Sequence, residues 1–131
     1  MLGTRSRKRL EGLHPDLVRV VERADALGLI DFAVTEGLRS RQRQAELVAD
    51  GHSTTMNSRH LTGHAVDLVP LFKGKPCWKW PSFYKLAPLV KMAAQELGVA
   101  IEWGGDWATF KDGPHFQLPW EKYPPNHPPS G

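Results

Sequence analysis

The run SRHLTGHAVD, residues 58–67, decides how this chain is read. It sets His60 and Asp67 seven positions apart, with Gly63 between them. From Ala65 the chain continues as AVDLVPL, apolar except for one carboxylate. Period-two alternation then places Ala65, Asp67 and Val69 on one face of a strand and Val66 and Leu68 on the other. A charge on a strand this apolar must be paired or coordinate a metal. A second run, DGPHF at residues 112–116, adds an imidazole, His115, and a carboxylate, Asp112.

Two imidazoles, one carboxylate ligand and one spare carboxylate are the groups a zinc hydrolase needs. Catalytic zinc takes three protein ligands from nitrogen and oxygen donors and keeps a further position for water. The metal acidifies that water and polarises the bond under attack. His60, Asp67 and His115 are the expected ligands of one zinc ion per chain. Asp112 is the expected general base, taking the water's proton and passing it to the leaving amine. His64 also lies near Asp67, but within a strand it points the other way. Glu102 is a rival for the base.

These motifs resemble the VanY-like D-Ala-D-Ala carboxypeptidase and L-alanyl-D-glutamate peptidase family, and within it the small phage endolysins. The family pattern is Ser-x-His-x-x-Gly-x-Ala-x-Asp, followed much later by an acidic residue, two spacers and His. Ser58, His60, Gly63, Ala65, Asp67, Asp112 and His115 meet it. An upstream Gly-x-Arg-Ser run is met by Gly37, Arg39 and Ser40, and WGGDW at residues 103–107 also fits. The resemblance covers about residues 9–118. It implies a zinc metallopeptidase with a hedgehog or D-Ala-D-Ala peptidase-like fold, acting on the stem peptide of peptidoglycan. Phage-like members cut between L-alanine and D-glutamate; relatives trim terminal D-alanine. The resemblance selects His60 over His64 and Asp112 over Glu102. It makes Arg39 a substrate-binding and catalytic helper, and Gln44 a support for the cleft. Ser58 is expected either to contact substrate or to hold the loop. The two reactions share their catalytic groups, so a D-Ala-D-Ala carboxypeptidase stays open as the alternative. A non-catalytic, zinc-stabilised wall-binding module is the alternative of a different class.

Working outward, 131 residues with 40% apolar content suit one folded domain. The expected division is a catalytic domain at 1–118 and a proline-rich tail at 119–131. Cys77 is the single cysteine, so no intramolecular disulfide forms. A net charge of +3 is ordinary solubility, and a nucleic-acid partner is not expected. Arg5, Arg7, Lys8 and Arg9 read as a solvated, flexible end. No apolar run approaches the ~20 residues of a membrane span, and no signal peptide is apparent. An endolysin of this kind is expected to be a monomer, made in the host cytoplasm and released to the wall through a phage pore.

The element pattern is α+β: about three helices packed on a small, mainly antiparallel sheet that carries the metal site. Apolar residues at three- and four-residue steps predict a helix over 15–27, ending at Gly28. A strand is expected at 31–35 and a helix at 41–50 capped by Ser40. Residues 51–59 and 71–81 read as loops, with Trp78 and Trp80 as cleft walls or packing. Ser82 reads as the cap of a helix to 97, kinked by Pro88 or restarting near Ala87. Strands are expected at 99–103 and 115–118. Between them, Gly104 and Gly105 suit a turn of unusual dihedrals, and Asp106 either orients a ligand histidine or is an ordinary turn residue.

Overall fold

The computed structural model describes residues 1–53, 56 and 58–124. Among these residues, four α-helices pack with an antiparallel sheet: α1 (Thr4–Arg9), α2 (Pro15–Leu27), α3 (Arg41–Ala49) and α4 (Trp80–Leu97). The strands are β1 (Phe32–Glu36), β2 (Ala65–Phe72), β3 (Lys75–Pro76), β4 (Glu102–Trp103) and β5 (His115–Gln117). Their order is β1-β2-β5-β4, with β3 hairpinned onto the end of β2. Each pairing is antiparallel.

The central strand, β2, is buried on both faces, with Ala65 and Val69 also closed off from solvent. Val66 and Leu68 are fully buried in the core with Leu17, Val20, Leu86 and Phe116. Asp67 points to the other side. Helix α2 has the predicted bounds: Pro15 occupies its first turn and Gly28 closes it at φ +65°. His14 caps this helix, its Nδ1 accepting the Asp16 amide at 3.1 Å.

Five expectations need correction. The strand expected at 99–103 is only the pair Glu102–Trp103. The basic N-terminal run is not a free end but α1. Leu2 and Ser6 are buried there, Ser6 Oγ accepts the Val34 amide at 2.9 Å, and Arg9 donates to the Val34 carbonyl at 3.0 Å. The stretch 71–81 is not all loop, because β2 runs on to Phe72 and turns back through Gly74 into β3. Helix α4 is one element from Trp80, with Pro81 in its first turn and Lys79 as its N-cap. Ser82 does not cap it; its hydroxyl donates to the Lys79 carbonyl. Pro88 stays inside α4 on an exposed face, where water can take the carbonyl its ring leaves unbonded. Finally, Gly104 and Gly105 have no left-handed dihedrals. They are needed for space: a Cβ on Gly104 would strike the Asp112 carbonyl, and one on Gly105 the Trp103 ring.

Gly63 is a position where glycine is required twice over. It closes the 3₁₀ turn Arg59–Thr62 at φ +78°, and an added Cβ would lie 2.7 Å from the Gly12 carbonyl oxygen. Its own carbonyl accepts the His14 amide at 2.8 Å, tying the turn to the start of α2. Gly63→Ala should cost about 1–3 kcal/mol of stability. Equilibrium urea unfolding measures this, and an unchanged midpoint would show that the turn tolerates a side chain.

Candidate metal centre

Strand register builds the site. Across the sheet, Glu36 on β1 lies opposite Asp67 on β2, and Asp67 lies opposite His115 on β5. An irregularity between Val34 and Glu36 shifts the β1 register, and this brings Glu36 into the row. His60 arrives from outside the sheet, on the 3₁₀ turn just before β2. Ser58 caps that turn, its Oγ accepting the His60 amide at 3.2 Å.

His60, Asp67 and His115 each offer a donor atom, and these atoms lie within 4.8 Å of one another. Asp67 Oδ1 is 3.2 Å from His60 Nε2 and 3.5 Å from His115 Nδ1. The far side of each ring is already committed. His60 Nδ1 donates to the Gly37 carbonyl at 2.9 Å, and His115 Nε2 to Gln117 Oε1 at 2.6 Å. In the neutral tautomers those bonds select, both inward-facing nitrogens present lone pairs. They converge on Asp67 Oδ1, which is buried and accepts no hydrogen bond. Three lone-pair donors facing one another are unfavourable unless a cation stands among them. The residues therefore fit a metal ion.

The titration behaviour agrees. Burial pushes the Asp67 carboxyl up, but the His115 and His60 imidazoles outweigh this and hold it far below the usual carboxylate range. Burial pushes His115 down, yet Asp67 wins and raises it above 6.5. The Asp67 carboxylate thus favours a positive charge on its His115 side, as it would favour a cation. Asp112 is shifted up, first by burial and then by Asp67, against the opposing pull of His115, His60 and Arg39.

All four groups open on one cleft of about 670 Å³, lined also by Glu36, Arg39, Ser58 and Trp107. Arg39 is held tightly. Its Nε and Nη2 grip the two Glu36 oxygens at 2.8 and 2.6 Å, and Nη1 donates to Gln44 Oε1 at 2.7 Å. Its Nη2 also lies 3.9 Å from Asp67 Oδ2. The guanidinium thus stands between two carboxylates that the sheet places opposite each other. Gln44 is fully buried and donates in turn to Ser53 Oγ at 2.8 Å.

His64 turns away from the cluster. Its ring lies 5.6 Å from that of His14, and its Nδ1 bonds the Thr62 hydroxyl at 2.6 Å. Asp106 pairs with Lys91 and is exposed, so it orients no ligand here. Glu102 sits on β4 opposite Gln117 and does not line the cleft. His52 is exposed at the cleft rim, and His127 lies outside the described residues.

Two contributors escaped sequence reading. Gln117 fixes the tautomer of His115; its clue was the shared strand face of residues 115 and 117. Arg59, only 2% exposed, donates to the carbonyls of Leu118 and Tyr123 at 3.0 and 2.6 Å and stacks on Trp120 at 4.2 Å. It clamps the turn carrying His60 to the chain beyond β5. No spacing rule marks this arginine as buried.

Comparison with known proteins accords with this geometry. The family model "Phage L-alanyl-D-glutamate peptidase" matches residues 1–118. The L-alanyl-D-glutamate peptidase of Escherichia phage T5 is 33% identical over 114 residues, spanning 84% of this chain and 83% of that protein. That of Listeria phage A118 is 38% identical over 94 residues, covering 72% of this chain but 32% of the longer protein. The crystal structure of the Serratia marcescens L-Ala D-Glu endopeptidase ChiX is 50% identical, with a TM-score of 0.88 over 95% of this chain and 94% of that one.

Two outcomes are expected for metal binding, both measurable by isothermal titration calorimetry with a divalent ion. Affinity should fall as pH drops through a value above the ordinary imidazole 6.5, because the raised His115 binds a proton in competition with the metal. A flat profile down to pH 5 would contradict the donor set. Gln117→Leu should weaken affinity about 10- to 100-fold while leaving the fold intact. Equal affinity would show that His115 needs no such orientation.

Proposed function

The chain belongs to the phage L-alanyl-D-glutamate peptidase family, and from that membership we propose a zinc-dependent peptidoglycan peptidase that hydrolyses the L-alanyl-D-glutamate bond of the stem peptide. The observation that carries this reading is the convergence of His60, Asp67 and His115 beside Asp112 in one cleft. His60 Nε2, Asp67 Oδ1 and His115 Nδ1 would hold the ion. Zinc bound there supplies a Lewis acid for the scissile carbonyl and lowers the pKa of water.

The chain's own groups do the rest. Asp112 accepts the proton of the attacking water through a carboxylate oxygen and returns it to the leaving nitrogen of D-glutamate. Its raised pKa suits that task, since a base that also serves as an acid works best when its affinity for the proton is not too weak. Arg39 orients Asp67 and offers a remaining N–H to substrate oxygen, while Glu36 and Gln44 keep the fork from swinging. Ser58 keeps a hydroxyl proton for substrate, its oxygen being occupied by the His60 amide. Trp107, whose ring lies 5.1 Å from that of His115, shields the cluster from bulk water.

No helix among the described residues is long and apolar enough to cross a membrane. The reading places the enzyme at the cell wall, reached from the host cytoplasm through a phage pore. The active form is proposed to be a monomer.

Mass spectrometry of digested peptidoglycan tests the bond. New D-glutamate amino termini that vanish with chelator are expected; free D-alanine instead would make the protein a carboxypeptidase. Asp112→Ala should keep its metal and lose hydrolysis by about 10²- to 10⁴-fold. A metal-free Asp112→Ala protein would overturn the separation of ligand from base.

A further inference from the structure

Between Asp67 and Glu96 the chain carries five lysines and no carboxylate. Lys91 is paired with Asp106. Among the described residues, no ion pair engages Lys73, Lys75, Lys79 or Lys85, and all four are exposed. Interleaved with them are large rings left open to solvent: Trp78 at 59% exposure, Trp80 at 41% and Tyr84 at 57%. An exposed group of aromatics is uncommon on a surface that touches nothing.

The rings form one connected group. Trp80 lies 5.8 Å from Tyr84, and both Trp80 and Trp78 pack edge-on against Phe83, at 6.0 and 6.5 Å. Phe83 is buried and reaches the catalytic loop: a Cβ on Gly113 would lie 2.7 Å from its ring. Gly113 stands between Asp112 and His115. The patch therefore adjoins the segment that carries the proposed base and a ligand, yet none of Trp78, Trp80 and Tyr84 lines the cleft.

We propose that Trp78, Lys79, Trp80, Tyr84 and Lys85 form a second binding surface, one that grips the polymeric wall outside the cleft by stacking on sugar rings and pairing with stem-peptide carboxylates. This rests on the peptidase reading, which supplies the polymer. The chemistry is complementary on both counts. Flat rings offer apolar faces at little entropic cost, and Tyr and Trp keep a polar edge for water or hydroxyls. Unpaired lysines beside them favour an acidic polymer over a neutral one and raise its local concentration. A lipid surface would also attract lysine and tryptophan, but it would gain nothing from contact with the loop at Gly113. A wall strand held here has one of its stem peptides within reach of that loop.

The test separates capture from cleavage. Co-sedimentation with insoluble peptidoglycan sacculi is measured with chelator present, so that binding is read without hydrolysis. Cleavage of a short soluble stem peptide is measured with metal. The Lys79→Glu/Lys85→Glu double variant and Trp78→Ser are each compared with wild type after their unfolding midpoints are matched. Sedimentation should fall about tenfold in the double variant and be salt-sensitive in wild type, while soluble-peptide cleavage stays unchanged. Trp78→Ser should reduce sedimentation without changing the salt dependence. Equal sedimentation of all three proteins would overturn the surface and leave the peptidase reading standing. Capture by phosphatidylglycerol vesicles in place of sacculi would overturn it in favour of a membrane contact. A wild type that sediments but leaves the soluble peptide uncut would sink the peptidase reading, and the surface would stand as a wall-binding site.

Discussion

A buried carboxylate oxygen facing two imidazole lone pairs is the constraint around which this molecule is arranged. Asp67 Oδ1 is cut off from water and takes no hydrogen bond. Left so, it would be costly, since a buried charge needs a partner of opposite sign. The surrounding structure works to keep this contact in place. Gly37 and Gln117 hold the two rings from behind, and Arg39 steadies the second oxygen from the side. The fold thus maintains a local arrangement that would relax if any of these supports were removed. Sites that hold reactive groups near one another commonly store unfavourable contacts in this way, at the expense of stability elsewhere.

The sheet and the site are consequently one problem with one solution. Because β2 is buried on its Val66 and Leu68 side, its register cannot slip by one residue without turning Asp67 into the core. The same register decides which residue of β5 lies opposite Asp67, and that residue is His115. Core packing therefore aligns two of the three donors before any metal contributes. The third is placed by tighter means: a four-residue 3₁₀ turn, a left-handed glycine and a guanidinium sunk among carbonyls.

Much of this was legible from residue order because the decisive signals are local. Alternation around Asp67, the glycine closing α2 and the three-residue offset from Asp112 to His115 each report on neighbours in sequence. What escaped reading is non-local. Arg9 and Arg59 look like surface charges until carbonyls more than twenty residues away are seen to receive them. The lone carbonyl of Gly37 carries no mark of its attachment to His60. Gly104 and Gly105 suggested a turn of unusual dihedrals, whereas the fold uses them to let the Asp112 segment and the Trp103 ring approach the backbone. Helix α4 begins before the serine expected to cap it, because Pro81 suits a first turn and Lys79 takes the cap position. The loop expected before α4 hid a hairpin because two-residue strands leave no periodicity to detect.

The clamp on Arg59 also bears on when the centre can come into being during synthesis. His60 and Asp67 emerge midway, but His115 and the carbonyls of Leu118 and Tyr123 come near the end of the described chain. A nascent polypeptide short of residue 115 holds two donors and no means of completing the set. One short of residue 123 still lacks the shortest hydrogen bond on the arginine beside His60. Closing a gap of about fifty residues costs only a few kcal/mol more than closing a short one, so the delay is one of translation order more than of chain entropy. A chain that ends before His115 therefore lacks one of the three donors on which the centre depends.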